Sequence, residues 1–137
     1  MNSSSAFVFV ALVFTVYFIR RFFGSFSAMA SPETVQKVQG YIKDNKIFVA
    51  SKTYCPYCQA TIKLLFEDKK LSEEQVFLLQ LDTMKEGGEI QDALQEITGQ
   101  RSVPNIFIGG SHIGGNSDIQ ALESSGKLDP LLKKVLG

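Results

Sequence analysis

Soft metal ligands are scarce in this chain, whose 137 residues hold two cysteines and one histidine. Two thiols exclude the multiply bridged scaffold of small secreted domains, and they are too few for a four-ligand structural zinc site without help. No sign of charge prevails either. Basic and acidic residues number 14 each, and no basic run compares with the patches that neutralise a phosphate backbone, so a nucleic-acid partner has no electrostatic support. Internal repeats and low-complexity tracts are also missing. Aspartate and glutamate are absent before Glu33, while Arg20 and Arg21 lie ahead of it, so the rest of the chain carries a slight negative excess.

What the N-terminus does have is an apolar run from Ala6 to Ile19, followed by Arg20-Arg21-Phe22-Phe23 and the small-residue stretch Gly24 to Ala28. The run covers 14 positions, short of the roughly 20 that span a bilayer, though Phe22 and Phe23 extend the stretch available for membrane contact to residues 6–23. Residues 1–30 therefore read as a targeting or membrane-anchor segment and linker, and 31–137 as one domain. Three readings of the segment stay open. A secretory signal explains the run and Ala28-Met29-Ala30 but lacks a positive region ahead of it. A mitochondrial presequence explains the Ser and Arg content and the missing acids, although the run is apolar on all sides. An uncleaved anchor would hold the arginines, and the domain, on the cytosolic side.

From Ser31 the pattern becomes that of a soluble α/β domain. Ser31 caps a helix with Pro32 at its first position, where a missing N–H costs nothing, and Val35, Val38 and Ile42 recur at helical spacing. Ile47 to Ala50 is a short apolar run of the buried-strand type, leading directly to Lys52-Thr53-Tyr54-Cys55. Ile62, Leu65 and Phe66 follow on one helical face, which makes Cys55-Pro56-Tyr57-Cys58 the N-terminal turn of a helix. Val76 to Leu81 reads as a second strand, Gly87 to Thr98 as a helix closed by Gly99, and Asn105 to Ile113 as two strands joined at Gly109-Gly110. Two short helices around Ala121-Leu122 and Leu131-Leu132 end the chain. The order α-β-α-β-α-β-β-α-α suits a four-stranded mixed sheet flanked by helices. His112, just after the glycine pair, reads as a hairpin residue half in solvent rather than a base or ligand.

A Cys-x-x-Cys pair between a strand and a helix start is a redox motif for physical reasons, since one turn brings both sulfurs within bonding reach. Unpaired N–H groups and the positive end of the helix dipole favour thiolate at Cys55, and Lys52 is near enough in sequence to add a cation. Cys58, one turn deeper, is less stabilised as an anion and suited to attack a mixed disulfide already formed at Cys55. Cys55 is the expected nucleophile and Cys58 the resolving cysteine. A pair of inert buried cysteines or half a metal site is the competing reading, and no metal site is expected.

Three segments taken together, Lys52 to Cys58, Gly99-Gln100-Arg101-Ser102-Val103-Pro104-Asn105 and Ile113-Gly114-Gly115-Asn116-Ser117-Asp118, resemble the dithiol glutaredoxins, above all the fungal ones, over about residues 32 to 136. The resemblance implies a thioredoxin-like α/β fold and glutathione as reducing cosubstrate, with no permanently bound cofactor. Carried over residue by residue, it implies that Val103 presents its backbone to the cysteinyl part of glutathione, with the bond to Pro104 cis. It places Lys52 and Gln91 near the glycyl carboxylate, Asp118 near the γ-glutamyl ammonium, the N–H groups of Ser117 and Asp118, following Gly115, at the γ-glutamyl carboxylate, and Tyr57 along the groove, with charge from Arg101 nearby. Plainer roles compete: Gly114-Gly115 as a turn, Asp118 as a helix cap, Gln91 and Lys52 as solvated surface. Ser102 replaces the family's usual threonine and keeps its hydroxyl.

The expected activity is reduction of protein–glutathione mixed disulfides and protein disulfides, with glutathione and such proteins as partners and the chain a monomer. Pro56-Tyr57 between the cysteines disfavours a thioredoxin- or isomerase-type reductase, and by family comparison Pro56 also disfavours a scaffold in which two chains and two glutathiones hold an iron–sulfur cluster. The expected location is cytoplasmic and mitochondrial, through forms starting at Met1 and Met29; a membrane-anchored or secretory-pathway protein is the alternative.

Overall fold

The computed structural model describes residues 29–137; the apolar segment, its proposed membrane contact at residues 6–23 and its targeting role lie outside the described residues. Among the described residues no helix is long and apolar enough to cross a membrane. Helix α1 (Pro32–Asp44) is capped by the Ser31 side chain, which accepts from the Thr34 N–H at 3.2 Å, with Pro32 in its first turn. Strand β1 (Ile47–Ser51) follows and is buried at every position. Helix α2 (Pro56–Lys63) runs straight into a π-helical turn over Leu64–Asp68. Then come β2 (Val76–Gln80), a 3₁₀ turn over Leu81–Thr83, α3 (Gly87–Thr98), the hairpin β3 (Asn105–Ile108) and β4 (Ser111–Gly114), α4 (Asn116–Ser124) and α5 (Leu128–Leu136).

The four strands form one sheet in the order β2-β1-β3-β4. β1 and β2 are parallel, with Ile47 opposite Val76 and Ser51 opposite Gln80. β1 pairs β3 antiparallel, with Ala50 opposite Asn105, and β3 pairs β4 antiparallel with an irregularity between Ile106 and Phe107. This is the expected four-stranded mixed sheet flanked by helices, preceded in sequence by the apolar segment.

Alternation along β1 divides the core in two. Ile47 and Val49 join Leu64, Leu65, Ile106, Ile108, Ile119 and Leu128 beneath α2, α4 and α5, whereas Phe48 and Ala50 face Val38, Ile90, Ala93 and Leu94 of α1 and α3. Phe48 is fully buried, with ring centroids of Tyr41, Phe77 and Phe107 at 5.9, 5.7 and 5.6 Å. Such pairs add to area burial through their quadrupoles.

Two expectations need correction. Strand β2 ends at Gln80, and Leu81 opens the 3₁₀ turn. Along α2 and the π turn the fully covered positions are Cys58, Thr61, Leu64 and Leu65, and Phe66 packs half-buried against the same core as Leu65, whereas half-buried Ile62 joins neither core. The π turn is the cause: it adds one residue to the helical turn, so the periodicity that groups Ile62 with Leu65 and Phe66 does not hold across it.

Candidate active site

Topology gathers the site at one end of the sheet. β1 ends there and releases the chain into Lys52 to Cys55. β3, running the other way, begins there just after Val103 and Pro104, and β4 ends there at Gly114, ahead of α4. The Val103–Pro104 peptide bond is cis, as the resemblance implies.

Cys55 occupies the cap position of α2, and its sulfur accepts the Cys58 N–H at 3.4 Å while lying 3.8 Å from the Val103 carbonyl oxygen. It is half-buried, whereas Cys58 is fully buried. Burial pushes the Cys55 thiol up, but the Cys58 amide and side chain, the Tyr57 amide and the Lys52 charge together outweigh it, and the group ends below the ordinary thiol range. Cys58 moves the opposite way: burial and the neighbouring Cys55 sulfur raise it against opposing contributions from the Lys52 backbone and the Ser51 hydroxyl. Ser51 is itself fully buried and its Oγ makes no hydrogen bond, so its influence on Cys58 is that of a nearby dipole rather than of a formed bond.

The segment before the nucleophile is fastened from the 3₁₀ turn after β2 and from α2. The Asp82 carboxylate accepts the Thr53 N–H at 2.9 Å and also the Thr53 hydroxyl, and Gln59 Nε2 donates to the Thr53 carbonyl at 3.1 Å. Asp82 is held below the usual carboxylate range by those Thr53 bonds, with Lys52 contributing. The segment across from Cys55 is fastened by side-chain amides, two of them buried. Gln91, 7% exposed and so not solvated surface, donates Nε2 to the Arg101 carbonyl at 2.7 Å. Gln100 donates to the Ser102 and Pro104 carbonyls, and Asn105 donates to the Gln100 carbonyl at 3.2 Å. Because Asn105 thereby turns its oxygen to His112, the His112 Nε2 donates across 2.8 Å, with its ring 5.1 Å from that of Phe107. The histidine is an exposed hairpin residue that steadies Asn105. Arg101 is engaged by Asp92, through Nε at 3.1 Å and a terminal nitrogen at 2.9 Å, so its charge is largely spent within the protein.

At the start of α4 the Asp118 carboxylate accepts the Gly115 N–H at 2.8 Å, and Gly115 has no side chain with which to cap the first turn. The N–H groups of that turn remain available to an anion. Gly114 is more than a turn: its φ of +117° suits glycine, and a Cβ there would strike the Asp118 carboxylate. Tyr57 and Tyr54, at 67% and 68% exposure, flank the nucleophile. Cys55, Cys58, Val103 and Pro104 are thus brought together, Gln91 supports the opposing loop, and Gly115, Ser117 and Asp118 form a separate anion-receptive corner. Sequence reading missed Ser51, Asp82 and Thr61, none of which belongs to a short motif, and gave no role to Asn105, which closes the Gly99 to Asn105 segment. Among the described residues no group of His, Cys, Asp and Glu could hold a metal ion.

A dithiol at a helix start, facing a cis-proline loop at the end of a mixed sheet, defines a thioredoxin-like thiol–disulfide oxidoreductase. The family model for glutaredoxin matches residues 47–113. Glutaredoxin-1 of Saccharomyces cerevisiae is 56% identical over 108 residues, which cover 79% of this chain and 98% of the yeast protein. A glutaredoxin of Ricinus communis is 50% identical over 99 residues, covering 72% and 93% respectively. The crystal structure of a buckwheat glutaredoxin–glutathione complex is similar with a TM-score of 0.68 and 41% identity, covering 75% of this chain and 90% of that one. The chain belongs to the glutaredoxin family. It is a glutathione-dependent thiol oxidoreductase, with glutathione as cosubstrate and no permanently bound cofactor.

Proposed function

We propose that this chain reduces protein–glutathione mixed disulfides by attack of the Cys55 thiolate on the glutathionyl sulfur. The substrate sulfur leaves as a thiolate, and Cys55 carries the glutathione until a second glutathione thiolate attacks it, releasing glutathione disulfide and restoring Cys55. With a protein disulfide as substrate, Cys55 first forms a mixed disulfide with the protein. Cys58 then yields its proton and attacks Cys55, expelling the reduced protein and leaving a Cys55–Cys58 disulfide for two glutathiones to reduce.

The carrying observation is the opposite displacement of the two thiols, Cys55 down and Cys58 up, on one helical turn. The sulfur that attacks first is half-buried and the more readily ionised; the one that acts second is fully buried and the less readily ionised. Glutathione lies along the groove with its cysteinyl backbone on Val103, its γ-glutamyl carboxylate on the first turn of α4 and its ammonium toward Asp118, with Lys52, Gln91 and Tyr57 toward its glycyl end and flank. The free N–H groups behind Gly115 support the γ-glutamyl assignment. Replacing Asp118 by alanine tests it: KM for a glutathionylated peptide rises with little change in kcat, as for loss of uniform binding. An unchanged KM returns Asp118 to the role of a cap.

The working form is a monomer, and glutathionylated and disulfide-containing proteins are its substrates. The gene yields two forms, one starting at Met1 and sent to mitochondria, one starting at Met29 and cytoplasmic. Support comes from the position of Met29, immediately before the buried Ala30 and the helix cap Ser31. Expression with Met29→Leu and a C-terminal tag, followed by fractionation, is the test. Loss of the short soluble form is expected; its persistence, with an N-terminus near residue 30, would assign it to cleavage instead.

A further inference from the structure

Thr61 is fully buried on α2, one turn beyond Cys58, and its hydroxyl leaves the helix altogether. It donates to Asn116 Oδ1 at 3.0 Å, the first residue of α4, whose oxygen also accepts from Gln120 Nε2 at 3.3 Å. A threonine in a helix readily returns its hydroxyl to the carbonyl four residues back, as half-buried Thr98 does at the end of α3, to Leu94 at 2.7 Å. Valine would fill the same space without a polar atom to satisfy, so the hydroxyl is present for the bond it makes.

That bond spans the two halves of the site. One end is fixed to the helix that carries the reactive sulfur at its N-terminus, the other to the helix whose N-terminus receives the γ-glutamyl group. We infer that Thr61 is a positioning residue for glutathione, acting through Asn116 to hold the first turn of α4 at the distance and angle from Cys55 that one glutathione molecule spans. The inference rests on the α4 assignment made above. Thr61 touches neither substrate nor sulfur; it sets where the anion-binding turn sits.

Thr61→Val removes the hydroxyl at nearly constant shape. KM for a glutathionylated peptide should rise about three- to tenfold, the range of one hydrogen bond, while kcat changes by less than about twofold. The pH profile of Cys55 alkylation should stay as in the native protein, because the N-terminus of α2 is undisturbed. Thr61→Ser, which keeps the hydroxyl, should restore KM. Asn116→Ala should raise KM to a similar extent, and the Thr61→Val/Asn116→Ala pair should do no more than the larger single change, since both remove one interaction. Additive effects would overturn the inference, as would an unchanged KM in Thr61→Val where Asp118→Ala raises it. If neither Asp118→Ala nor Thr61→Val alters KM, the α4 assignment fails and the inference with it. Should the valine variant not fold, Asn116→Ala carries the test from the half-buried side, and an unchanged KM there overturns it.

Discussion

At the scale of single residues, three positions separate two sulfurs whose surroundings pull them apart. Cys55 keeps company with helix-start amides and Lys52, Cys58 is cut off from solvent beside the Cys55 sulfur, and the division of labour follows from that contrast. Cys55→Ser should abolish every thiol transfer, whereas Cys58→Ser should keep turnover of small glutathione mixed disulfides, because glutathione itself can resolve them. Comparable activity in both variants would undo the assignment. The pH dependence has a definite sign. A lowered thiol stays ionised below the pH at which an ordinary cysteine protonates, so the pH profile of Cys55 alkylation in the Cys58→Ser variant should lie to the acid side of that of a free thiol. A rate that climbs through the pH range of a free thiol would contradict the lowered state. The cysteines were legible in the sequence because their spacing and the strand before them suffice. Asp82, Thr61 and Ser51 were not, since each acts on a residue far along the chain or in the neighbouring layer.

Elements show the same division between local and distant causes. The helix over Gly87 to Thr98 was legible to its last residue, because Gly99 closes it at φ +79° and its N–H returns to the Gln95 carbonyl at 2.7 Å. Of the three positions expected on one face of α2, Leu65 and Phe66 pack on the same core and Ile62 does not, since the π turn at Leu64–Asp68 leaves no mark in the apolar spacing before it. That turn is tied down at its end by Lys69, which bridges Glu123 at 2.6 Å and Asp129 at 2.7 Å, joining it to α4 and α5. The junction of β4 with α4 invites a direct test. Gly114→Ala imposes a left-handed backbone on a residue with a Cβ and drives that Cβ into the Asp118 carboxylate. A loss of about 1–2 kcal/mol from the backbone alone, read as a lower denaturant midpoint, should accompany a higher KM for glutathionylated peptide as Asp118 is displaced. Native stability and an unchanged KM would show that the junction tolerates a side chain.

Across the whole molecule, a sheet buried on both faces makes the central strand the common support of both cores. Phe48 lies at the middle of it, and Phe48→Ala should cost about 3–5 kcal/mol, enough to remove much of the stability of a domain this size; urea unfolding measures it directly. The strand order β2-β1-β3-β4 could only be anticipated as a four-stranded mixed sheet, because pairing partners are not encoded locally. The ends of the described fold also have an address. Ser31 N–H is held by Glu89 at the first turn of α3, and Thr34 Oγ1 donates to the same carboxylate at 2.8 Å, at the end of the sheet where the nucleophile lies. Val135, near the last residue, instead faces Gly109 at the opposite end. A cargo fused by a short linker ahead of Met29 is therefore leashed at the same end of the sheet as the reactive sulfur, at an effective concentration in the millimolar range for a short flexible linker that spans the gap, while the same cargo attached after Gly137 must reach around the full length of the sheet. A disulfide-bearing reporter joined at the front should equilibrate with glutathione faster than one joined at the back, the two fusions differing in nothing but the direction from which exchange is offered.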